Sequence, residues 1–314
     1  MIKNNIINRN FCPVCKVEDN IILYECLFTE YPVKEYLTRF YSTQGGVELN
    51  YLENAKYILC KCNNCDLVYQ KEILSEALME RLYENWINPV LVFEAQKMLP
   101  ISHYASWAQE IFQIMSYIKK IPSEIRFFDF GMGWGKWLLV AKAFGCNVFG
   151  CELSESRIQY AESNGITMIS YDEISEQQFD FINASQVFEH ISCPTETLQY
   201  LVKALKFGGL IKISVPTARN ISRRIKKMDW DAPKGSKYSL NPVAPLEHIN
   251  YFKRETLISM ASMAGLQEIK IPLTTQYQFS TNWKGIRHIV KNLIYPIINK
   301  LDKSNNEIIF LKYK

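Results

Sequence analysis

Nowhere in the 314 residues do 18 apolar side chains follow one another, and the opening MIKNNIINRN has no apolar stretch of the length a secretory leader requires. No membrane-spanning helix is expected, and a cytoplasmic location is. Internal repeats and low-complexity tracts are also missing, so the order of local patterns carries the information. Nor does one sign of charge dominate: 36 Lys and Arg stand against 32 Asp and Glu, a net charge of +4. Residues 1–70 hold 7 basic and 8 acidic side chains. That is not the basic arm nucleic acid attracts, and no nucleic-acid partner is expected. Two basic segments do occur, +5 over residues 219–237 and +6 over residues 270–314.

What is present is ordinary globular composition, 48% hydrophobic and 22% charged, in a length that suits one large domain and a small one. The nine cysteines are an odd count, and several have CxxC spacing. In a long chain without a leader this favours metal or free thiols over disulfides, and a reducing compartment.

Residues 1 to about 70 read as strands and turns organised around cysteines. Leu74, Leu78, Leu82 and Tyr83 then fall on one helical stripe. Asn88-Pro89 and Leu99-Pro100 punctuate a connector, after which Tyr104, Trp107, Ala108, Ile111, Ile114, Met115 and Ile118 recur at helical spacing up to Pro122. Beyond Pro122, strands (126–130, 147–151, 166–169, 179–184) alternate with helices (136–144, 155–163, around 195–205). A Phe207-Gly208-Gly209 turn and a strand at 210–215 follow, and helix 254–264 leads to strands at 266–271 and 307–312. Such alternation predicts an α/β fold with a parallel sheet, helices on both faces, and ligands at the carboxyl ends of the strands.

FFDFGMGWGKW places Asp129, Gly131, Gly133 and Gly135 directly after the first strand of that sheet. Glycine lets backbone and ligand approach closely, and helix N-terminal amides beyond it form an electropositive end. Glu152 closes the second strand, about 20 positions on, where an acid accepts both hydroxyls of an adenosine ribose. The spacing is GxGxG with an acid two residues ahead, and position 136 is Lys, so the dinucleotide spacing GxGxxG fails. An acid at the turn repels pyrophosphate but accepts a hydrogen bond from the ammonium of a bound amino acid and favours a sulfonium, which points to S-adenosylmethionine (SAM) over NAD.

FFDFGMGWG, FDFINASQVFEHI with Pro194, LKFGGLIKISVP, PLEHINYF and MAGL follow in that order. Over roughly residues 100–314 they resemble the class I SAM-dependent methyltransferases. The resemblance implies a Rossmann-like class I methyltransferase sheet. It also implies that Gln186 faces the methionine portion of SAM and that Asp172 or its neighbourhood contacts the adenine. Met132 departs from the Cys the family often has. Because that residue presents mainly backbone, little consequence is expected.

Cys12 and Cys15 in FCPVC, with Cys62 and Cys65 in KCNNC, supply the four thiolates of a tetrahedral structural zinc site, with Cys26 and Cys60 as alternative ligands. Four thiolates leave no open position, so the metal is expected to staple the fold without catalytic duty. Paired knuckles followed by a DLVYQ-like strand are similar to those of methyltransferases in bacterial sugar and surface-glycan biosynthesis. That likeness implies a sugar-containing small-molecule acceptor, nucleotide-activated or glycan-linked, methylated on oxygen or carbon. A small aromatic or quinone-like acceptor, and a non-catalytic SAM-binding module, stay open as alternatives. The expected organisation is a zinc-binding module at 1–75, a helical connector at 76–100 and a SAM-dependent methyltransferase domain at 101–314.

Methyl transfer from SAM is an in-line displacement at carbon, which requires positioning and the exclusion of water, and a base only for a protonated acceptor. Glu189-His190 follows the fourth strand of the sheet and Glu247-His248 the fifth, so Glu189, His190 and His248 are the candidate catalytic residues. Each histidine equally suits a bracing role. Trp230 in MDWDAPKG either stacks on a sugar ring or anchors its loop, and Arg219, Arg223, Arg224, Lys226 and Lys227 form a solvated helix face or a diphosphate grip. The amphipathic segment 283–301 reads as a helix shielding the pocket, with peripheral membrane contact as the lesser alternative.

Overall fold

The computed structural model describes residues 5–217, 220–272 and 306–313, with scattered positions between 274 and 294. The chain forms two compact units. A sheet unit comprises Leu99–Ser185, Tyr200–Ile213 and Gly265–Lys314, and a cysteine unit comprises Met1–Met98, Gln186–Gln199 and Ser214–Ala264. Among the described residues no helix is long and apolar enough to cross a membrane. Segment 283–301 and Arg219 lie largely or wholly outside the described residues.

The sheet unit is built on seven strands: β1 (Arg126–Phe130), β2 (Asn147–Cys151), β3 (Thr167–Met168), β4 (Phe179–Ser185), β5 (Leu205–Pro216), β6 (Leu266–Ile269) and β7 (Asn306–Tyr313). Their order across the sheet is β6-β7-β5-β4-β1-β2-β3. β1 pairs in parallel with β2 and β4, and β2 with β3. The chain thus winds outward one way through β1, β2 and β3 and the other way from β4, which puts the switch point at the carboxyl end of β1. β1 is covered on both faces, which is why Phe127, Phe128, Asp129 and Phe130 are all buried. Phe127 meets Trp137 and Phe181 edge-on at 5.6 and 5.4 Å between ring centroids, while Phe128 stacks on Phe179 at 4.6 Å. The resulting α/β methyltransferase fold agrees with the sequence reading, except that the sheet is mixed. β6 runs antiparallel to β7, pairing Leu266 with Tyr313.

Local differences have local causes. The expected turn at Phe207-Gly208-Gly209 lies inside β5, where Gly208 takes up a φ of +78° without ending the strand and Phe207 points into solvent. Leu74 ends a strand instead of opening a helix, because the Ser75 hydroxyl accepts from Leu78 N and caps the helix Glu76–Arg81. Within the region read as strands and turns, Val33–Tyr41 is a helix whose buried residues Val33, Leu37 and Tyr41 recur every fourth position.

In the cysteine unit an antiparallel sheet runs Asn250–Tyr251, Val68–Gln70, Lys56–Cys62, Asn20–Leu27. Its outer member, Asn250–Tyr251, comes from far downstream of the other three, which all end by Gln70. Arg9 is the latch that holds it. The buried guanidinium donates through Nε to the Gln70 carbonyl at 2.9 Å, through Nη2 to the Ile249 carbonyl at 2.7 Å and through Nη1 to Asn250 Oδ1 at 2.8 Å. Gln70 Nε2 adds bonds to the carbonyls of Ala244 and His248 at 2.9 and 3.0 Å. Thr195 Oγ1 donates to the Val14 carbonyl and Thr256 Oγ1 to the Cys65 carbonyl, so both downstream segments are tied to the cysteine turns.

Removing the Arg9 fork takes a donor from the Gln70 carbonyl and from Asn250 Oδ1, while the Ile249 carbonyl keeps the Gln70 amide, at a cost of about 1–3 kcal/mol per orphaned group, partly relieved by water. Arg9→Met is expected to lower the unfolding free energy by ~3 kcal/mol in urea denaturation followed by circular dichroism. A change below about 0.5 kcal/mol would show that the downstream segment is held by other contacts.

Candidate functional site

In the sheet unit, β1 delivers Asp129 to the turn and β2 delivers Glu152 beside it, since Asp129 pairs with Gly150 and Phe130 with Cys151 across the parallel ladder. Gly131, Gly133 and Gly135 have φ of +67°, +57° and +64°. The Gly133 amide donates to Glu152 Oε2 at 2.9 Å, and Leu153 N and Ser154 N donate to Oε1 at 2.9 and 3.2 Å. Three backbone donors therefore fix the carboxylate and still leave it lone-pair capacity. A Cβ on Gly135 would run into Ile166, whereas one on Gly133 would meet nothing within 4 Å. The open side of this turn is thus at Gly133. Met132 donates its amide to the Cys151 carbonyl and buries its side chain in the core. Asp129 is buried and accepts from Asn183 Nδ2 at 2.8 Å; desolvation pushes its carboxyl up to about 7. Asp172 is exposed on the turn after β3, where its carbonyl accepts from Tyr200 Oη at 3.1 Å.

Gln186, in the cysteine unit, has a φ of +58°, and its amide donates to the Ser214 carbonyl at 2.7 Å. In the same unit Cys12, Cys15, Cys62 and Cys65 come together, with one sulfur from each within 4.8 Å of the others. Cys12 Sγ lies 3.5 Å from Cys65 Sγ, and Cys15 Sγ 3.5 Å from Cys62 Sγ. Cys26 and Cys60 are outside this group. Cys26 contacts the Leu27 and Tyr31 carbonyls, and Cys60 is a free buried thiol of the central strand.

A second cluster joins Glu189, His190 and His248, again with ligand-type atoms within 4.8 Å of one another. Glu189 and His190 occupy a short turn, Phe188–His190, that starts three residues after β4. Glu189 is 1% exposed and neither carboxylate oxygen has a hydrogen-bond partner; His190 Nε2 approaches Oε1 to 3.8 Å. Burial pushes the Glu189 carboxyl up to about 8 and the imidazoles of His190 and His248 down to about 4 and about 3. Both rings are therefore neutral near pH 7. His190 Nδ1 donates to the Glu247 carbonyl at 2.7 Å and lies 3.1 Å from Tyr83 Oη, while His248 Nδ1 donates to the Asn241 carbonyl. Glu247 turns away from the pair and accepts from Tyr41 Oη at 2.6 Å.

Next to Asn241 the cysteine unit has a cleft of about 240 Å³, lined by the rings of Tyr36, Phe40 and Trp230 and by Arg39, Asp231 and Asn241. Trp230 is half-buried and packs on Tyr24, Tyr36 and Tyr57, which anchors its loop while leaving it part of the cleft wall. Of the basic run, Arg224 donates to the Ser239 carbonyl and Lys227 pairs with Asp229, while Arg223 and Lys226 are exposed. Tyr41, Tyr83 and Asn241, which orient the histidines and Glu247, had no sequence signal of their own. They lie up to 206 positions from their partners, and isolated Tyr and Asn residues carry no motif.

Residues 102–271 match the family described as the methyltransferase domain. The ubiquinone biosynthesis O-methyltransferase of Dechloromonas aromatica (strain RCB) is 26% identical over 189 residues, covering 52% of this chain and 79% of that protein. Among solved structures, magnesium protoporphyrin IX methyltransferase from Synechocystis PCC 6803 with bound SAH is similar at 14% identity and a TM-score of 0.44, over 70% of this chain and 87% of that one. The plantazolicin methyltransferase with a pentazolic desmethylPZN analog and SAH is similar at 14% identity and a TM-score of 0.47, over 72% and 90%. With more than half of its length matched, and with an acid-and-glycine turn and a strand-end glutamate at the switch point of its sheet, the chain belongs to the methyltransferase domain family and is a SAM-dependent methyltransferase.

Proposed function

We propose that this enzyme methylates a sugar-containing small molecule, nucleotide-activated or glycan-linked, on oxygen or carbon. The observation that carries this reading is the cleft of Tyr36, Phe40 and Trp230 with Arg39, Asp231 and Asn241, because flat rings suit the C–H faces of a sugar and the polar groups its hydroxyls. Asn241, in the cleft wall, also accepts from His248 through its carbonyl, so the cleft adjoins the histidine cluster. A small aromatic or quinone-like acceptor is the second reading, favoured by the 26% identity to a ubiquinone biosynthesis O-methyltransferase. Neither nucleic acid nor a membrane figures in either reading, and the free thiols suit a reducing, cytoplasmic setting.

In this reading Asp129 accepts from the ammonium of SAM, Glu152 from its ribose hydroxyls, and Gly131, Gly133 and Gly135 admit the cofactor to the backbone. Gln186 serves the methionine portion and Asp172 the adenine side. Glu189, His190 and His248 activate the acceptor. Cys12, Cys15, Cys62 and Cys65 hold one structural zinc, a role their mutual approach fits. In chain order we assign 1–75 to the zinc-binding module, 76–100 to the connector and 101–314 to the methyltransferase domain.

The Asp129 carboxyl near 7 gives the cofactor assignment a pH signature. A bound cation favours the carboxylate, so binding releases a proton, and SAM affinity is expected to rise with pH up to about 7 and level off above it. Below that point affinity falls by up to about tenfold per pH unit. Calorimetry across pH 5–8 measures this, with Asp129→Asn flattening the profile. A flat profile in the wild type removes Asp129 from the ammonium site.

Zinc analysis is expected to find about one ion at the cysteines, lost in Cys12→Ser and Cys65→Ser together with thermal stability. A folded protein whose cysteines hold no metal would make them ordinary thiols.

The substrate is tested by following S-adenosylhomocysteine with a panel of nucleotide sugars and phenols. Sugars are expected to support turnover, and Glu189→Gln or His248→Ala to reduce it by about 100-fold or more with SAM affinity nearly unchanged. Turnover on phenols alone overturns the sugar assignment, and turnover within about tenfold of wild type in both variants removes the cluster from acceptor activation.

A further inference from the structure

The Glu189–His190–His248 cluster contains a carboxylate that is nearly inaccessible and, among the described residues, lacks a hydrogen-bond partner for either oxygen. A buried carboxyl group with neither oxygen hydrogen-bonded is costly, and its charged form costs more still, so native structures pair such a group or give it to a cation. Among the described residues no Lys or Arg forms an ion pair with Glu189; the groups gathered with it are the two imidazoles.

Those imidazoles are set in one tautomer. Each directs Nδ1 at a backbone carbonyl, His190 at Glu247 and His248 at Asn241, and a carbonyl can only accept. Nδ1 therefore carries the proton in both rings, and the Nε2 lone pairs are left for another partner. A histidine whose Nδ1–H is anchored on a carbonyl, with Nε2 lone pair free, is the arrangement that orients a metal ligand. The ring centroids are 5.0 Å apart at 66°, and the ligand-type atoms of all three residues lie within 4.8 Å of one another. An ion about 2.1 Å from each atom needs ligand pairs about 3.4 Å apart, a contraction within the reach of side-chain rotation.

We propose that Glu189, His190 and His248 bind a divalent first-row transition-metal ion, separate from the four-cysteine site, with an open coordination position for an acceptor oxygen. Two imidazole nitrogens and one carboxylate select manganese, iron, cobalt or zinc over magnesium, which prefers an all-oxygen shell. Three protein ligands leave at least one position to water or substrate, unlike four thiolates. The acceptor part rests on the reading of this cluster as the acceptor-activating group. A hydroxyl coordinated there loses its proton to water more readily, and the resulting oxygen anion attacks the methyl carbon as the carbon–sulfur bond breaks, leaving S-adenosylhomocysteine.

The test uses the full chain with its cysteine site filled with zinc, treated with a mild chelator and titrated with Mn2+, whose free fraction is read by electron paramagnetic resonance, and in parallel with Co2+. The expected result is one further ion per chain, with a Co2+ spectrum free of thiolate charge-transfer bands. Binding should weaken at least about tenfold in Glu189→Gln and in His248→Ala, while zinc at the cysteines, a control for folding, is retained. A wild type that binds no further Mn2+ or Co2+, a cobalt spectrum showing only thiolate ligation, or equal binding by both variants overturns the site. If the wild type binds no further metal while both variants still lose turnover, the metal is overturned and acceptor activation stands. If metal binding is lost but turnover is not, the metal site stands and acceptor activation is overturned.

Discussion

The proposed cofactor end of this enzyme depends on two neighbouring parallel strands stopping in register. Because Asp129 is paired with Gly150, the turn after β1 arrives beside the end of β2, and the Gly133 amide reaches the Glu152 carboxylate at 2.9 Å. A shift of the ladder by one residue would turn Asp129 and Glu152 to opposite faces. Phe149 of β2 packs on Phe179 at 5.5 Å, on which Phe128 of β1 also stacks at 4.6 Å, which makes such a shift expensive, so core packing and the geometry of the proposed cofactor turn are set by the same contacts.

The cysteine unit solves a different problem, which is to gather polar groups from segments far apart in sequence. Arg9 donates to the carbonyls of Gln70 and Ile249 and to the Asn250 side chain, and the Gln70 side chain donates to the carbonyls of Ala244 and His248, so side chains reinforce a sheet of such short strands. With that edge fixed, the Asn241 and Glu247 carbonyls stand where they orient the two histidines. Two groups of metal-competent side chains, one of thiolates and one of imidazole and carboxylate, therefore occur in one unit. Their chemistries differ as a closed staple differs from an open site.

The sheet was legible in the sequence because its strands are short apolar runs separated by helices with clear ends, and the motif residues are adjacent in the chain. The cysteine cluster was legible for a similar reason, CxxC being a local pattern with one chemical meaning. What stayed hidden was tertiary. Val33–Tyr41 alternates Lys, Glu, Thr and Arg with its three buried residues, so its helical stripe is thin. The antiparallel pairing of β6 and β7 depends on strands about 40 residues apart. Likewise, His190 and His248 each suited a base or a brace, and only Nδ1 on a carbonyl and an unpartnered Glu189 distinguish a third possibility.

The most direct measurement of the central claim is a crystal structure of the protein grown with S-adenosylhomocysteine. The ribose hydroxyls are predicted to lie on Glu152, with the nucleoside against the open side of Gly133 and the amino acid end toward Asp129. A nucleoside bound away from both Glu152 and the Gly131–Gly135 turn would contradict the account.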